Sequence, residues 1–363
     1  MRKRIKTPGR TTIGLDLGDR VSDYCVLDGE GNIIEEGRIA TTPGALTQRF
    51  GTSVPVRIAM EVGTHSPWAS RLLKGLGHEV LVANARKLRM IFENRQKADR
   101  VDARLLARVA RFDAQLLSTL EHRTENVAVD LAVIRARDAL LSTRTRLVNH
   151  VRGAVKSSGA RVARCSTERF ASAARLQLPD SLRQSLSPVL DVIAEVTAKI
   201  GELDAHVEKL AAEKYPDTRL LSQLPGIAAL TALTFVLTLE RPERFHNSRA
   251  VGSYLGLVPA RRQSGKADPQ LRITKEGDMY LRRLLVQAAQ RLLRRTATDC
   301  DLRRFGLRLA ERGGKNAKKR AVVAVARKLA VVMHRLWRTG EVYEPVREAL
   351  APVSSTPICS SAA

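Results

Sequence analysis

TTIGLDLGDRVSDYCVLDGEGNIIEEGRIA, residues 11–40, is the stretch that decides the fold class of this chain. Ile13 to Leu17 is apolar around a single acid, Asp16, and Asp23 to Leu27 alternates. The DGEGN turn at 28–32 then leads into Ile33 and Ile34. A period of two broken by Asp and Gly turns predicts an opening meander of three strands. Outward from it, VRIAMEVG at 56–63 reads as another short buried strand ending at Glu61. A helix near 67–76 and a strand in HEVLVA, 78–83, follow. Strands and helices alternate after the meander, so residues 1–118 are expected to form an α/β domain with a mixed sheet. That domain ends in the helix of QKADRVDARLLARVA, 96–110.

From 119 to 214 the pattern is helical. Val127, Ile134, Leu141, Val148 and Val155 recur at heptad spacing, and Val189, Ile193, Val196, Ile200, Leu203, Val207 and Leu210 step by alternating fours and threes. Such stripes predict either an antiparallel hairpin or a coiled coil that joins subunits, and two ordinary core helices fit the pattern as well. Residues 215–345 are expected to form a mainly helical third domain. LLSQLPGIAALTALTFVLTL, 220–239, resembles a helix-hairpin-helix with Ala228 where a second Gly is usual, and basic helices are expected at 278–296 and 316–338. Residues 346–363 read as a disordered tail.

The chain has 363 residues, 44% apolar and 27% charged, which is a globular mixture with room for two or three cores. It carries 62 Lys and Arg against 37 Asp and Glu, a net charge of +25. Residues 241–340 hold 25 basic and 7 acidic residues, so +18 of that excess sits in one stretch and a polyanion is the natural partner. Aromatics make up only 4%, which argues against a membrane-surface helix, and no apolar run is of membrane-spanning length. MRKRIKTPGR at the start leads into strand-like alternation rather than a signal-peptide core, so a cytoplasmic protein is expected. Cys25, Cys165, Cys300 and Cys359 lie far apart with no zinc spacing, and reduced structural thiols are expected.

Four acids stand out chemically. Asp16 lies between Leu15 and Leu17 in a strand, and Glu61 follows the apolar IAM in the same way. A carboxylate there is unfavourable without a partner. Asp99 and Asp102 sit three apart on one helix face and, taken alone, serve equally well as helix N-terminal acids. Two strand ends and one helix face can converge at the carboxyl edge of a sheet, and an all-oxygen set suits a pair of Mg2+ ions acting on a phosphodiester. Asp19 and Asp23 read as turn and surface residues. Glu93 and His65 are near in sequence without a separate chemical case.

The segments GLDLGD (14–19), AMEVGTHSPW (59–68), KADRVDA (97–103), YLGLVPARRQSGKADPQLRITKEGDMYLRRLLVQAA (254–289) and GGKNAKKRAVVAVARKLAVVMHRLW (313–337) carry a resemblance in order over nearly the whole chain. They resemble the insertion-sequence transposases with a RuvC-like DEDD domain, the bridge recombinases. The resemblance implies a ribonuclease-H-like (RuvC-like) N-terminal domain in which Asp16, Glu61, Asp99 and Asp102 bind Mg2+. It also implies that Ser264 in RRQSG attacks DNA to give a phosphoserine intermediate. The coiled coil would join subunits into dimers and tetramers, and a structured bridge RNA would pair with double-stranded target and donor DNA.

A serine hydroxyl is a weak nucleophile that needs activation, and nothing in RRQSGK supplies a base. Arg261, Arg262 and Lys266 beside it can hold the scissile phosphate. Arg272, Lys275, Arg282, Arg283, Lys315, Lys318, Lys319 and Arg320 complete the basic set expected to meet nucleic acid. Two rival readings stay open: a RuvC-like Holliday-junction resolvase using water while Ser264 is idle, and a nucleic-acid-binding scaffold without catalysis.

Overall fold

The computed structural model describes residues 11–51, 54–84, 99–263, 269 and 271–346. Glu93, Ser264, Lys266 and nearly all of the expected tail lie outside the described residues, and of Asp99 only the backbone is described. The chain divides into two compact units, Met1–Thr124 and Glu125–Ala363.

The first unit is built on a mixed five-stranded sheet: β1 (Thr12–Asp16), β2 (Val21–Leu27), β3 (Ile33–Ala40), β4 (Arg57–Glu61) and β5 (Glu79–Ala83), in the order β3-β2-β1-β4-β5. β1, β2 and β3 form the expected antiparallel meander, whereas β1, β4 and β5 run parallel. Its order and directions are consistent with a ribonuclease-H-like domain. Asp28 builds the β2–β3 turn: its Oδ1 accepts the backbone N–H groups of Glu30, Gly31 and Asn32 at 2.8, 2.7 and 2.8 Å. Gly31 takes φ +96° there, a conformation that disfavours any side chain.

Strand alternation divides the sheet into two faces. Ile13, Leu15, Tyr24, Val26, Ile58, Met60 and Val82 point to one face, where α1 (Pro43–Phe50) and α2 (Ser66–Gly75) bury Leu46, Phe50, Ala69 and Leu73 against them. Each large apolar side chain removed from water here contributes roughly 1.5–3 kcal/mol. On the other face lie Gly14, Cys25, Leu27, Ala59 and Ala83, covered by α3 (Asp99–Phe112) through Ala103, Leu106, Ala107 and Ala110. The contact at β1 is backbone on backbone. A Cβ on Gly14 would stand 1.9 Å from the Ala103 carbonyl oxygen and 2.6 Å from the Ala107 nitrogen.

Two arginines fix the direction of α3. Arg57, at the start of β4, grips Glu79 at 3.1 Å and donates to the Ala110 carbonyl at 3.0 Å. Arg111 donates to the Gly29 carbonyl at 2.7 Å, beyond the end of β2 that pairs with the start of β1. The C-terminal end of α3 therefore lies at the beginning of β1 and β4, and its first turn lies at their carboxyl edge.

The second unit is helical. α4 (Glu125–Ser157) and α6 (Asp180–Glu213) pack against each other, with the short α5 (Phe170–Arg175) between them in the chain. The heptad positions are divided: Ile134, Val148, Val155, Ile193, Ile200 and Val207 are buried, while Val127, Leu141, Val189, Val196, Leu203 and Leu210 are half-buried. Within one chain the stripes thus form a hairpin with a largely closed seam. Two arginines sit in that seam. Arg137 forks onto Asp204, and one heptad further Arg144 reaches Thr197 Oγ1 at 3.5 Å and Glu168 at 3.6 Å.

The rest of the unit comprises α7 (Asp217–Leu221), α8 (Ala229–Leu239), α9 (Arg249–Tyr254), α10 (Met279–Leu292), α11 (Asp301–Glu311) and α12 (Ala317–Thr339). α8 is buried from Thr231 to Leu239; Leu233 and Leu237 meet the hairpin, and Phe235, Val236 and Leu239 meet the core under α10 and α12. The basic helix expected over 278–296 ends at Leu292, where α10 gives way to a turn before α11. Among the described residues no helix is long and apolar enough to cross a membrane.

Candidate active site

Asp16 is the last residue of β1 and Glu61 the last of β4. These strands are parallel, with Leu15 beside Met60, so the two acids follow in step on neighbouring strands at the carboxyl edge. Asp16 shares its face with Gly14, and Glu61 with Ala59, which places both on the α3 side of the sheet. Asp102 precedes Ala103, the residue whose carbonyl abuts Gly14, and Asp99 opens the helix one turn earlier. Asp16, Glu61 and Asp102 are all half-buried. The fold therefore assigns all four acid positions to one face and one edge.

The donor set is all carboxylate, the chemistry that suits a hard divalent cation. Among the described residues, no group of three or more His, Cys, Asp or Glu side chains is gathered tightly enough to hold a metal ion. Asp99, the fourth acid, stands outside that comparison because its side chain is not described.

One residue at this edge corrects the sequence reading. Asp23, expected on the surface, is buried at 7% exposure, directly opposite Asp16 across the β1–β2 pair. Arg38 on β3 pairs with it at 3.3 Å, offsetting the repulsion of two facing carboxylates. The signal was present in the alternation, since Asp23 shares the inward parity of Cys25 and Leu27. Cys25 itself is pushed up to about 11 by burial and by Glu36, so the thiol stays protonated and serves as packing.

Around the edge, His65 Nδ1 accepts from Trp68 Nε1 at 3.1 Å, which puts the His65 proton on Nε2, 3.6 Å from Asp19. This contact joins the β1–β2 turn to the start of α2. Ser66 Oγ accepts the Gly63 N–H at 2.9 Å and lies 2.9 Å from His122 Nε2. Burial, helped by Arg71, Lys74 and Arg123, holds His122 below the usual imidazole range. Not every arginine of α3 is available to a ligand, because Arg104 is paired with Glu36 on β3, at 2.6 Å for Nη2.

In the second unit the described part of the serine loop is its stem. Ala260 N–H donates to the Arg272 carbonyl at 2.8 Å, Thr274 to Val258 at 2.9 Å and Lys275 to Gly256 at 3.1 Å. Gly277, at φ +71°, lies so close to Tyr254 that a Cβ would stand 2.0 Å from its carbonyl oxygen. Arg282 Nη1 fastens the base by donating to the Leu255 and Glu276 carbonyls at 2.9 and 2.6 Å. Arg261, Arg262, Arg272 and Lys275 are exposed on the stem, as are Lys315, Lys318, Lys319 and Arg320 at the head of α12. Arg283 is exposed on α10 and paired with Asp138 of α4.

A DEDD-type transposase family model matches residues 13–159, and the model of the IS116/IS110/IS902 transposase family matches residues 218–302. The chain is 26% identical to the transposase for insertion sequence element IS1111A of Coxiella burnetii, over 91% of this chain and 90% of that protein. It is 28% identical to the transposase for IS1328 of Yersinia enterocolitica, covering 79% and 85% respectively. A probable family 20 transposase of Pseudomonas aeruginosa is 25% identical over 92% and 98%. The chain belongs to the IS116/IS110/IS902 family of transposases. DNA is accordingly the substrate of this transposase, and cleavage and transfer of its strands the activity. The DEDD match spans the whole acid edge, and the second match spans the stem of the serine loop and α10.

Proposed function

We propose that this transposase cuts and rejoins DNA strands with Ser264 as nucleophile and Asp16, Glu61, Asp99 and Asp102 as the acid set. The observation that carries the reading is the edge geometry: Asp16 and Glu61 end parallel neighbouring strands in step, and α3 runs back over them with its acids in the first turn. The four carboxylates would hold Mg2+, two ions in the full reading. When bound, the metal polarises the phosphoryl group and offsets the charge of the carboxylates.

The remaining steps belong to the chain's own residues. Arg261 and Arg262, which precede Ser264 by three and two residues, orient the scissile phosphate through guanidinium hydrogen bonds. The Ser264 hydroxyl forms an Oγ–P bond and gives up its proton. The P–O bond to the leaving strand breaks, and the departing oxygen takes up a proton. A hydroxyl of the second strand then attacks the phosphorus: its O–P bond forms as the Oγ–P bond breaks, its proton passes to the departing Ser264 Oγ, and the joined phosphodiester replaces the covalent adduct. Positioning by a structured bridge RNA and assembly into a dimer or tetramer follow from the resemblance to bridge recombinases and complete the proposal.

The test is a pair of variants. Ser264→Ala is expected to abolish joining and the covalent protein–DNA adduct, and Asp16→Ala or Asp102→Ala to abolish cleavage while leaving DNA binding intact. Strand cleavage by Ser264→Ala at the wild-type rate would establish water as nucleophile, the resolvase reading. Copurification of a discrete RNA matching the DNA beside the gene tests the guide.

A further inference from the structure

A cavity of about 630 Å3 opens in the second unit between α4, the Pro225–Gly226 turn with the start of α8, and α10. We propose that it seats one phosphate of a nucleic-acid backbone, on residues that belong neither to the acid set nor to the serine loop. The inference rests on the reading of this chain as a DNA-acting transposase, and goes beyond it by naming a separate anchoring point.

Three independent features point to an anion. The first is electrostatic. Arg137, Arg283 and Arg291 all line the cavity. Arg137 is paired with Asp204 and Arg283 with Asp138, while Arg291 has no ion pair among the described residues and is exposed. The cavity therefore carries about one uncompensated positive charge, the complement of one phosphodiester.

The second is the N-terminus of α8, an 11-residue helix whose cap is Ala228. Alanine offers no capping oxygen, and the first turn contains no acid, so the helix end keeps its positive field and its unsatisfied N–H groups. The preceding Gly226, at φ +84°, packs against α10, where a Cβ would come within 3.3 Å of the Ala288 carbonyl oxygen. This holds the turn against the cavity wall.

The third is Thr231. It is 8% exposed, lines the cavity, and its hydroxyl has no hydrogen-bond partner among the described residues. Because it opens onto the cavity, the hydroxyl can donate to an acceptor bound there in place of water. A phosphate oxygen between Thr231, the α8 N-terminus and Arg291 satisfies all three groups, and Leu141 and Leu284 offer an apolar wall to the sugar.

The test uses the full-length protein and fluorescence anisotropy with two probes, a DNA duplex and an RNA duplex of equal length and sequence. Arg291→Gln is a surface change that should leave the melting temperature unaltered. It is expected to weaken binding several-fold and to reduce the slope of log K against log salt by about one. Thr231→Val, which conserves shape, is expected to weaken binding by roughly fivefold at constant slope. Lys199→Gln on α6, an exposed residue paired with Glu202, removes the same charge elsewhere and is expected to leave both unchanged.

The probe whose affinity falls identifies whether DNA or RNA supplies the phosphate. Wild-type affinity and slope for Arg291→Gln and Thr231→Val on both probes would overturn the seat, as would an equal slope change in Lys199→Gln. Failure of the unmodified protein to bind either probe would overturn the transposase reading itself, so the two failures are distinct.

Discussion

Gly14 shows how much one residue can decide. It is the point at which α3 lies directly on β1, and a methyl group there has no space short of moving the helix backbone. Because Asp102 is positioned through that same contact, Gly14→Ala is expected to lower stability by about 1–3 kcal/mol and to reduce DNA cleavage along with it. Thermal melting beside a cleavage assay checks both. Two imidazoles, the half-buried His122 and the buried His334, act on the whole protein in a different way. His122 is depressed by burial and by cationic neighbours. His334, whose Nε2 donates to the Pro242 carbonyl at 2.9 Å and whose Nδ1 faces Ser248 at 3.0 Å, is depressed by burial first. A depressed folded pKa means that the unfolded chain binds the proton first. The stability these groups contribute is complete above their unfolded values near 6.5 and is lost as pH falls through the lower folded values. The melting temperature is expected to fall from pH 7 towards pH 5, and His334→Gln should flatten part of that slope.

At the scale of elements, the hairpin of α4 and α6 is zipped by valines and isoleucines but registered by arginines. Arg137 with Asp204 and Arg144 with Thr197 are one heptad apart on both helices, so a slip of the register would break both contacts. Arg144 is buried at 5% exposure, and its Nε has no partner. Its ionic partner Glu168 is largely solvated, and Thr197 retains a 2.7 Å hydrogen bond to the Ile193 carbonyl. Removing Arg144 therefore strands no buried charge. Arg144→Leu is expected to be neutral or to stabilise the protein by about 1 kcal/mol in chemical denaturation, and a loss above about 2 kcal/mol would show that the arginine is a structural necessity. The serine loop is shaped by similar means, since Arg282 ties the base of its stem.

For the whole molecule, charge sets the terms of binding. Residues 241–340 account for +18 of the net +25, and the described lysines and arginines at the head of α12 are exposed. Each phosphate neutralised releases counterions, so DNA affinity should fall steeply with salt, by roughly 0.9 in log K per contact for each tenfold rise. A titration from low to physiological salt measures the number of contacts, and a flat response would exclude this basic stretch as the binding surface.

The meander at 11–40, the strand ending at Glu61 and the heptad stripes were legible because period and turn chemistry are local properties of a chain. So were Asp16 and Glu61 as anomalous acids at strand ends. Distance in sequence hid the rest. Only the tertiary structure showed that α3 runs back across β1 with its acids at the strand carboxyl edge, because Arg57, Arg111 and the gap at Gly14 fix its direction. Asp23 was read as a surface residue because Arg38, the counterion that permits its burial, comes from the next strand. The turn before α8 had a signal in the sequence but the cavity beside it had none, since Arg291 of α10 and the residues of α4 meet Ala228 and Thr231 only when three helices pack. Sequence alone determined which elements form and which residues are chemically out of place; packing decided which of them meet, because proximity across a core depends on contacts that no local pattern encodes.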